Sequence, residues 1–221
     1  MSKRIEINIG EFFLDRVTKP IRDKEDLIVL LLETIKLFLV GNIINDTKKV
    51  GKILLHIDKM SRVFYETENK FFSFNFPFNL EIITQPEGTD IRIYDTTIGV
   101  DLDHQLISAL LSLFSEKILE KESLDDFHYV ILTTDDMIEG SYSINTIWSL
   151  FRRLLLFESG YLRYDHDPSY ENGLMHPLNH LDFYFTTGNT FKVGLEDRIN
   201  ITHLIDILDI QTDCHFFRRP R

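Results

Sequence analysis

The chain has 221 residues, 43% of them hydrophobic, and carries a formal net charge of −11 at pH 7. This length and composition suit one globular domain or two small ones with a buried core. The acidic charge opposes autonomous binding to a nucleic-acid backbone, and a single cysteine excludes an internal disulfide framework.

Neither a signal peptide nor a membrane span is predicted. The first residues, MSKRIEINIGEF, are charged throughout and hold no apolar core of a secretory signal. The longest apolar stretch, residues 27–40, is interrupted by Glu33, Thr34 and Lys36 and falls short of about twenty residues. A cytoplasmic location is therefore expected, consistent with the low cysteine content.

The first part of the chain predicts a strand followed by two helices. Isoleucines alternate with polar residues over residues 3–9, as in a half-buried strand. Acidic residues and then a long apolar run predict a helix from residue 23 to about residue 40. A second helix, capped by Asp46, is predicted from apolar residues at spacings of three and four. These apolar residues are Val50, Ile53, Leu54, Ile57, Met60 and Phe64.

Residues 71–119 predict a small sheet and a further helix. Phenylalanines alternate with polar residues or proline over residues 71–78, which predicts a strand with one buried apolar face. Residues 80–84 and 90–94 flank a turn-forming Gln-Pro-Glu-Gly sequence and predict a hairpin, with residues 98–100 as a further short strand. A helix is predicted from Asp103 to residue 119.

The second half predicts strands at residues 127–134, 161–165, 179–185 and 190–195. One helix is predicted to start at Ser141 or Ser143 and to be ended by Gly160, and the last helix starts at Asn200. The whole pattern predicts an α+β fold of mostly antiparallel sheets packed with about five helices. A polar stretch at residues 121–126 predicts two subdomains, 1–122 and 123–221, with one continuous domain as the alternative.

Histidines and carboxylates are concentrated between residues 161 and 185. If residues 161–165 pair with the next strand, Arg163 and Asp165 share one face of the sheet with His180, Asp182 and Tyr184. The simplest interpretation is the polar, solvent-facing side of an antiparallel sheet. A binding or catalytic site is the alternative.

As a metal site, the tract predicts His180 and Asp182 as ligands, because they lie about 7 Å apart on one strand face. His166 is the candidate third ligand, and zinc or manganese the candidate ion. Along an extended strand His176 would lie about 13 Å from His180, so it joins only if the chain turns at Pro177. The leading prediction is a protein without a cofactor, and this divalent-metal site is the alternative.

If the protein is an enzyme, the candidate catalytic acid and base are His166, His176 and His180, with Arg163 stabilising developing charge. This arrangement suits a toxin-like hydrolase or nuclease. A nucleophile elbow, a Walker A loop and a dinucleotide-binding glycine motif are all missing from the sequence. Nucleotide hydrolases of the P-loop type and dinucleotide enzymes are therefore disfavoured.

The segments ESGYLRYD, residues 158–165, and HPLNHLD, residues 176–182, resemble uncharacterised bacterial proteins encoded beside phage-defence and mobile-element genes. The resemblance covers residues 158–182 and implies an accessory role beside a nuclease or an ATPase. The acidic charge, the apolar helix and the lack of a strong catalytic motif also favour a protein partner. The leading hypothesis is thus a non-enzymatic accessory or regulatory subunit of a bacterial complex, with the His/Asp-dependent hydrolase or nuclease as the alternative.

Overall fold

The computed structural model describes residues 3–40, 50–85, 88–115, 142–186 and 189–214. In chain order its elements are β1 Lys3–Ile9, α1 Glu11–Thr18, α2 Lys24–Val40, β2 Gly51–Ile57, β3 Ser61–Glu66, β4 Lys70–Asn75, β5 Asn79–Gln85, β6 Gly88–Asp95, β7 Val100–Asp101, α3 His104–Ser115, α4 Ile144–Leu156, β8 Leu162–His166, β9 Asn179–Thr186, β10 Asn189–Leu195 and α5 Ile201–Leu208. All of the strands in this described part of the chain pair antiparallel, in two sheets. The predicted α+β class is confirmed.

The chain forms two compact units that are both discontinuous in sequence. The first comprises Met1–Val17, Asp46–Phe76 and Ser159–Arg221, and the second comprises Thr18–Asn45 and Pro77–Glu158. The predicted subdomains, 1–122 and 123–221, do not coincide with these units. The boundary predicted between them lies outside the described residues.

The first unit contains a seven-stranded sheet in the order β1-β2-β3-β4-β8-β9-β10. Its central junction is the pairing of β4 with β8, which sets Phe72 opposite Arg163. Since β4 and β8 are far apart in the chain, this pairing joins strands from both predicted subdomains into one sheet. The strands predicted at residues 3–9, 161–165, 179–185 and 190–195 are all present.

Helix α5 packs on one face of this sheet. Its Leu204 belongs to a buried apolar cluster that also contains Leu54, Phe64, Phe71, Leu162, Tyr164 and Leu181. The helix starts at a capping box, in which the Asn200 side chain accepts from the amide of His203. On the opposite face the rings of Tyr65 and Phe72 stack with centroids 4.5 Å apart. The sheet is therefore buried on both faces at its centre.

The prediction of a helix over residues 50–64 is wrong, because this segment forms β2 and most of β3. Each strand carries at least three consecutive buried residues, Ile53 to Leu55 in β2 and Arg62 to Tyr65 in β3. A strand covered on both faces loses the alternation of apolar and polar residues that identifies a half-buried strand. Because both faces of these strands are buried, apolar residues also occur at the spacings of three and four residues that favoured a helix.

The second unit holds α2, α3 and α4 with the three-stranded sheet β5-β6-β7. The predicted helix at residues 23–40 and the predicted hairpin are confirmed. Ser143 caps α4, and the Asp103 side chain accepts from the amide of Leu106 at the start of α3. The prediction that Gly160 ends α4 is wrong, since the helix ends at Leu156.

Several predictions fall on residues outside the described part of the chain. These are the strand at residues 127–134, the last residues of the helix predicted to 119, the Asp46 cap and the centre of the hairpin turn. Among the residues that are described, no helix has the length and apolar character needed to cross a membrane.

Candidate functional site

The pairing of β8 with β9 brings the predicted polar residues together in the first unit. Arg163 lies directly opposite Asp182, and Asp165 lies directly opposite His180. Alternate residues of a strand share one face, so these four side chains lie on the same face of the sheet. The sequence-based prediction of this shared face is confirmed for these four residues. The side chain of Tyr184, which was predicted to join them, lies outside the described part of the chain.

The prediction that this face points to solvent is wrong. His180 is 1% exposed and Asp182 is 2% exposed. The side chain of Asp165 is 18% exposed, which leaves the cluster a limited opening. Burying two carboxylates side by side is unfavourable unless cations or hydrogen-bond donors compensate for the lost hydration.

Arg163 supplies part of that compensation. Its Nε donates to Oδ2 of Asp165 at 2.6 Å, and its Nη2 donates to Oδ2 of Asp182. Burial lowers the pKa of Arg163, but Asp165, Tyr161 and Asp182 outweigh it, so the pKa is raised and the guanidinium stays charged. Oδ1 of Asp182 is buried without a hydrogen-bond partner. One carboxylate oxygen thus retains an unused capacity to bind a cation or a proton.

His180 is oriented by the main chain. Its Nδ1 lies 2.9 Å from the carbonyl oxygen of Pro177. A carbonyl only accepts hydrogen bonds, so Nδ1 carries the hydrogen and the neutral ring has its lone pair on Nε2. That Nε2 is 3.6 Å from Oδ2 of Asp165 and 4.0 Å from Oδ2 of Asp182. Three electron-rich atoms therefore converge, and a shared cation or proton would stabilise them.

Two of the three distances between these ligand atoms fit binding to one metal ion. One ligand atom each from Asp165, His180 and Asp182 lie within 4.8 Å of one another. Ligand atoms about 2.1 Å from one ion are roughly 3.0 to 4.2 Å apart, depending on the angle between them. The distances of 3.6 and 4.0 Å from Nε2 of His180 fall in that range. Because a carboxylate oxygen has a second lone pair, it can bind an ion while accepting from Arg163.

His176 contacts this cluster without being one of its three potential ligands. Its Nε2 lies 3.2 Å from Oδ2 of Asp167, and its Nδ1 accepts from Nζ of Lys192 at 3.1 Å. The ring packs edge-on against that of His180, with centroids 4.7 Å apart. The chain turns before β9 begins at Asn179, so the separation of about 13 Å expected for an extended strand does not apply.

His166 is placed on the other face of the sheet. It lies opposite Asn179, and its Nδ1 is 2.9 Å from Oδ1 of that asparagine. The same Oδ1 accepts from the hydroxyl of Tyr164 at 2.8 Å. The structure therefore does not bring His166 to His180 and Asp182, and Asp165 takes the position of third potential ligand.

Two further side chains adjoin the cluster and were not predicted from the sequence. Lys70, on β4, lies opposite Asp165 of β8. Burial and the charge of Arg163 lower the pKa of Lys70 to about 8, although the attraction of Asp165 opposes this shift. Burial raises the pKa of Tyr161 and keeps the phenol protonated. Alternation with Phe72 indicates the face on which Lys70 lies, but no local signal predicts that β4 pairs with β8.

Comparisons with known proteins give no match: no family model matches the chain, and no curated protein or solved structure matches it.

Proposed function

We propose that the protein is a divalent-metal-dependent hydrolase whose ion is held by Asp165, His180 and Asp182. The observation that carries this proposal is the convergence of three electron-rich atoms, with Nε2 of His180 at 3.6 and 4.0 Å from the two carboxylate oxygens. Zinc and manganese both accept nitrogen and carboxylate ligands in such a set.

The surroundings of the three ligands support the same proposal. The contact from Nδ1 of His180 to the Pro177 carbonyl is the type of outer-shell hydrogen bond that orients metal-binding histidines. The two carboxylates balance the charge of a divalent ion, and Arg163 holds them in position before the ion arrives. Three protein ligands leave at least one position for water, as in catalytic rather than structural sites.

The chemistry that follows from such a site is hydrolysis. A bound divalent ion lowers the pKa of its water, so that hydroxide is available near neutral pH. The water oxygen forms a bond to the electrophilic centre of the substrate, the bond to the leaving group breaks, and the leaving group takes a proton derived from the water. Arg163 is then close enough to stabilise negative charge that develops on the substrate.

The test is metal titration of protein that has been stripped with chelator and dialysed. We expect one Mn²⁺ or Zn²⁺ per chain by calorimetry and by manganese EPR, and at least a hundredfold weaker binding for His180→Ala. Asp165→Asn is a second variant, which preserves side-chain shape at a less buried position. His166→Ala is the matched control, since it removes a histidine from the opposite face of the same sheet.

The alternative outcome is a buried ion pair that binds no metal. In that case Arg163 alone compensates the charges of Asp165 and Asp182 in part, and titration of the folded wild-type protein shows no stoichiometric ion. Equal metal affinity for the wild type and His180→Ala would also reject the proposal. Circular dichroism of each variant separates loss of the site from loss of the fold.

A second candidate function is the accessory subunit of a bacterial multi-protein complex, with a role in phage defence. The specific observation in its favour is a set of exposed apolar residues in the loop after β8, where Tyr170 is 75%, Leu174 is 93% and Met175 is 83% exposed. Exposed apolar groups close together are typical of docking surfaces. The net charge of −11 favours a partner with basic residues around its binding surface.

This candidate is tested by purification from the native host followed by mass spectrometry. A stoichiometric partner should be lost when Leu174 and Met175 are both replaced by Ser, and retained in His180→Ala. A partner that survives the loop replacement, or a protein recovered alone under mild conditions, contradicts the proposed docking loop.

A further inference from the structure

The cluster in the first unit is bordered by two lysines, one on each side. Lys70 on β4 lies opposite Asp165, and Lys192 on β10 lies opposite Asp182. Neighbouring strands are about 4.8 Å apart. The backbone of each lysine therefore lies one strand away from an aspartate of the proposed metal site. With Arg163 between them, three cationic side chains lie across β4, β8 and β10 on one face.

Lys70 has unused donor capacity. Its Nζ donates to the carbonyl oxygen of Val17 at 3.3 Å and lies 5.0 Å from the centre of the Phe72 ring. Within the described part of the chain it forms no ion pair with a carboxylate. An ammonium carries three N–H donors. At least two of them are therefore free to contact an acceptor other than Val17.

Charge at the site favours an anionic ligand once a metal is bound. The three cations Lys70, Arg163 and Lys192 face the two carboxylates Asp165 and Asp182, which leaves one positive charge in excess. Asp167, which contacts His176, brings this local sum to zero. A divalent ion then adds two positive charges. The surplus is opposite in sign to the −11 of the whole chain.

We infer that the proposed metal site takes a phosphate ester, with Lys70 as a binding residue for the phosphoryl oxygens. The inference rests on the proposed metal-dependent hydrolysis and names its substrate class. A phosphoryl group offers several acceptor oxygens and up to two negative charges, which match a metal ion, a guanidinium and an ammonium. Lys192 lies at the exposed side of the site, where it donates to His176.

In the reaction, the oxygen of the metal-bound water forms a bond to phosphorus, and the bond from phosphorus to the ester oxygen breaks. That oxygen leaves as an alcohol with a proton derived from the water. The second product is inorganic phosphate from a monoester and a phosphate monoester from a diester. Lys70 and Arg163 stabilise the charge that builds on the oxygens around phosphorus in the transition state.

The test uses inorganic phosphate as the probe on Mn²⁺-loaded full-length protein. We expect phosphate to bind in calorimetry, and its ³¹P resonance to be broadened by the bound manganese. Lys70→Met should weaken phosphate binding at least tenfold while changing Mn²⁺ affinity by less than about threefold, and Lys70→Arg should recover most of the affinity. Lys52→Met is the matched control, because Lys52 is exposed and pairs with Glu6 elsewhere on the sheet.

Substrate assays separate the sources of the phosphoryl group. A monoester such as p-nitrophenyl phosphate, a diester such as bis-p-nitrophenyl phosphate, and RNA are compared with the neutral ester p-nitrophenyl acetate. Cleavage of either phosphate ester that falls in Lys70→Met supports the inference. Cleavage of the neutral ester alone, or equal phosphate affinity in the wild type and Lys70→Met, overturns it.

The two proposals fail in different measurements. Metal titration without phosphate reports on the ligands Asp165, His180 and Asp182 alone. Phosphate titration of the loaded protein reports on Lys70. If the protein binds manganese but not phosphate, the proposed metal site is supported and the inferred substrate class is rejected. If the protein binds no metal, both proposals are rejected.

Discussion

Nδ1 of His180 donates to the carbonyl oxygen of Pro177 across 2.9 Å, and this one contact determines which ring nitrogen is available to the two carboxylates. The hydrogen on Nδ1 leaves the lone pair on Nε2, the atom that lies near Asp165 and Asp182. The position of Pro177 is therefore part of the site, although its side chain carries no reactive group.

Gly194 lies against Pro177 and leaves room for its ring. Replacing Gly194 therefore tests whether the site depends on the position of Pro177. A Cβ at position 194 would lie 2.9 Å from Cγ of Pro177, a ring atom that cannot rotate away. We expect Gly194→Ala to displace Pro177, to disturb the orientation of His180 and to weaken Mn²⁺ binding by about ten- to a hundredfold. Calorimetry on the folded variant gives the affinity, and the exposed Glu196→Ala is the control. Unchanged affinity would show that the ring tolerates a shift at Pro177.

Lys70 should make stability depend on pH. Its folded-state pKa of about 8 lies below the ordinary 10.5 because burial and Arg163 disfavour the ammonium, with Asp165 opposing them. Between these two values the unfolded chain binds more protons than the folded chain, so the free energy of unfolding rises with pH across this window. Urea denaturation at a series of pH values should show this rise in the wild type and a smaller one in Lys70→Met. Parallel profiles would contradict the lowered pKa.

Arg62 should be a major contributor to the stability of the first unit. Its guanidinium donates to Ser73 Oγ at 3.0 Å, Asn75 Oδ1 at 2.6 Å and the Gly160 carbonyl at 2.5 Å. Arg62→Met removes three hydrogen bonds of a buried guanidinium, one of them to the buried hydroxyl of Ser73, so we expect a loss of about 3 kcal/mol. Arg92→Met is the control, since its ion pairs are exposed and should contribute much less to the free energy of unfolding. Similar losses in urea denaturation would reject this ranking.

A buried ion pair should stabilise the second unit in the same way. The Asp95 side chain is fully buried, accepts from the amides of Thr97 and Ile98, and pairs with Arg153. Asp95→Asn keeps an acceptor for both amides but leaves Arg153 without its counter-ion, so we expect a loss of about 3 kcal/mol. Asp101→Asn weakens only an exposed pair, and a difference of less than about 1 kcal/mol between the two variants would contradict the effect of burial.

Only part of the candidate site could be predicted from the sequence. Alternation along residues 179–185 predicts that His180 and Asp182 share a face of the sheet. The structure confirms this prediction. Their burial was not predictable, because polar residues on one side of a strand are typical of the solvent side. Lys70 was missed since its approach to Asp165 depends on β4 pairing with β8.

What the sequence by itself determined is local. Alternation specified β1, acidic residues before an apolar run specified α2, and the caps Ser143 and Asn200 specified where α4 and α5 begin. These features depend on backbone preferences and hydrogen bonds within a few residues, so they can be read along the chain.

The tertiary structure alone decided which strands meet and which polar groups are buried. The pairing of β4 with β8 joins distant segments, and the turn at Pro177 brings His176 against His180. It also decided that residues 51–57 and 61–66 are strands, since burial of both sheet faces removes the alternation that would have revealed them. Long-range pairing and burial are properties of the assembled core, and no short stretch of sequence contains them.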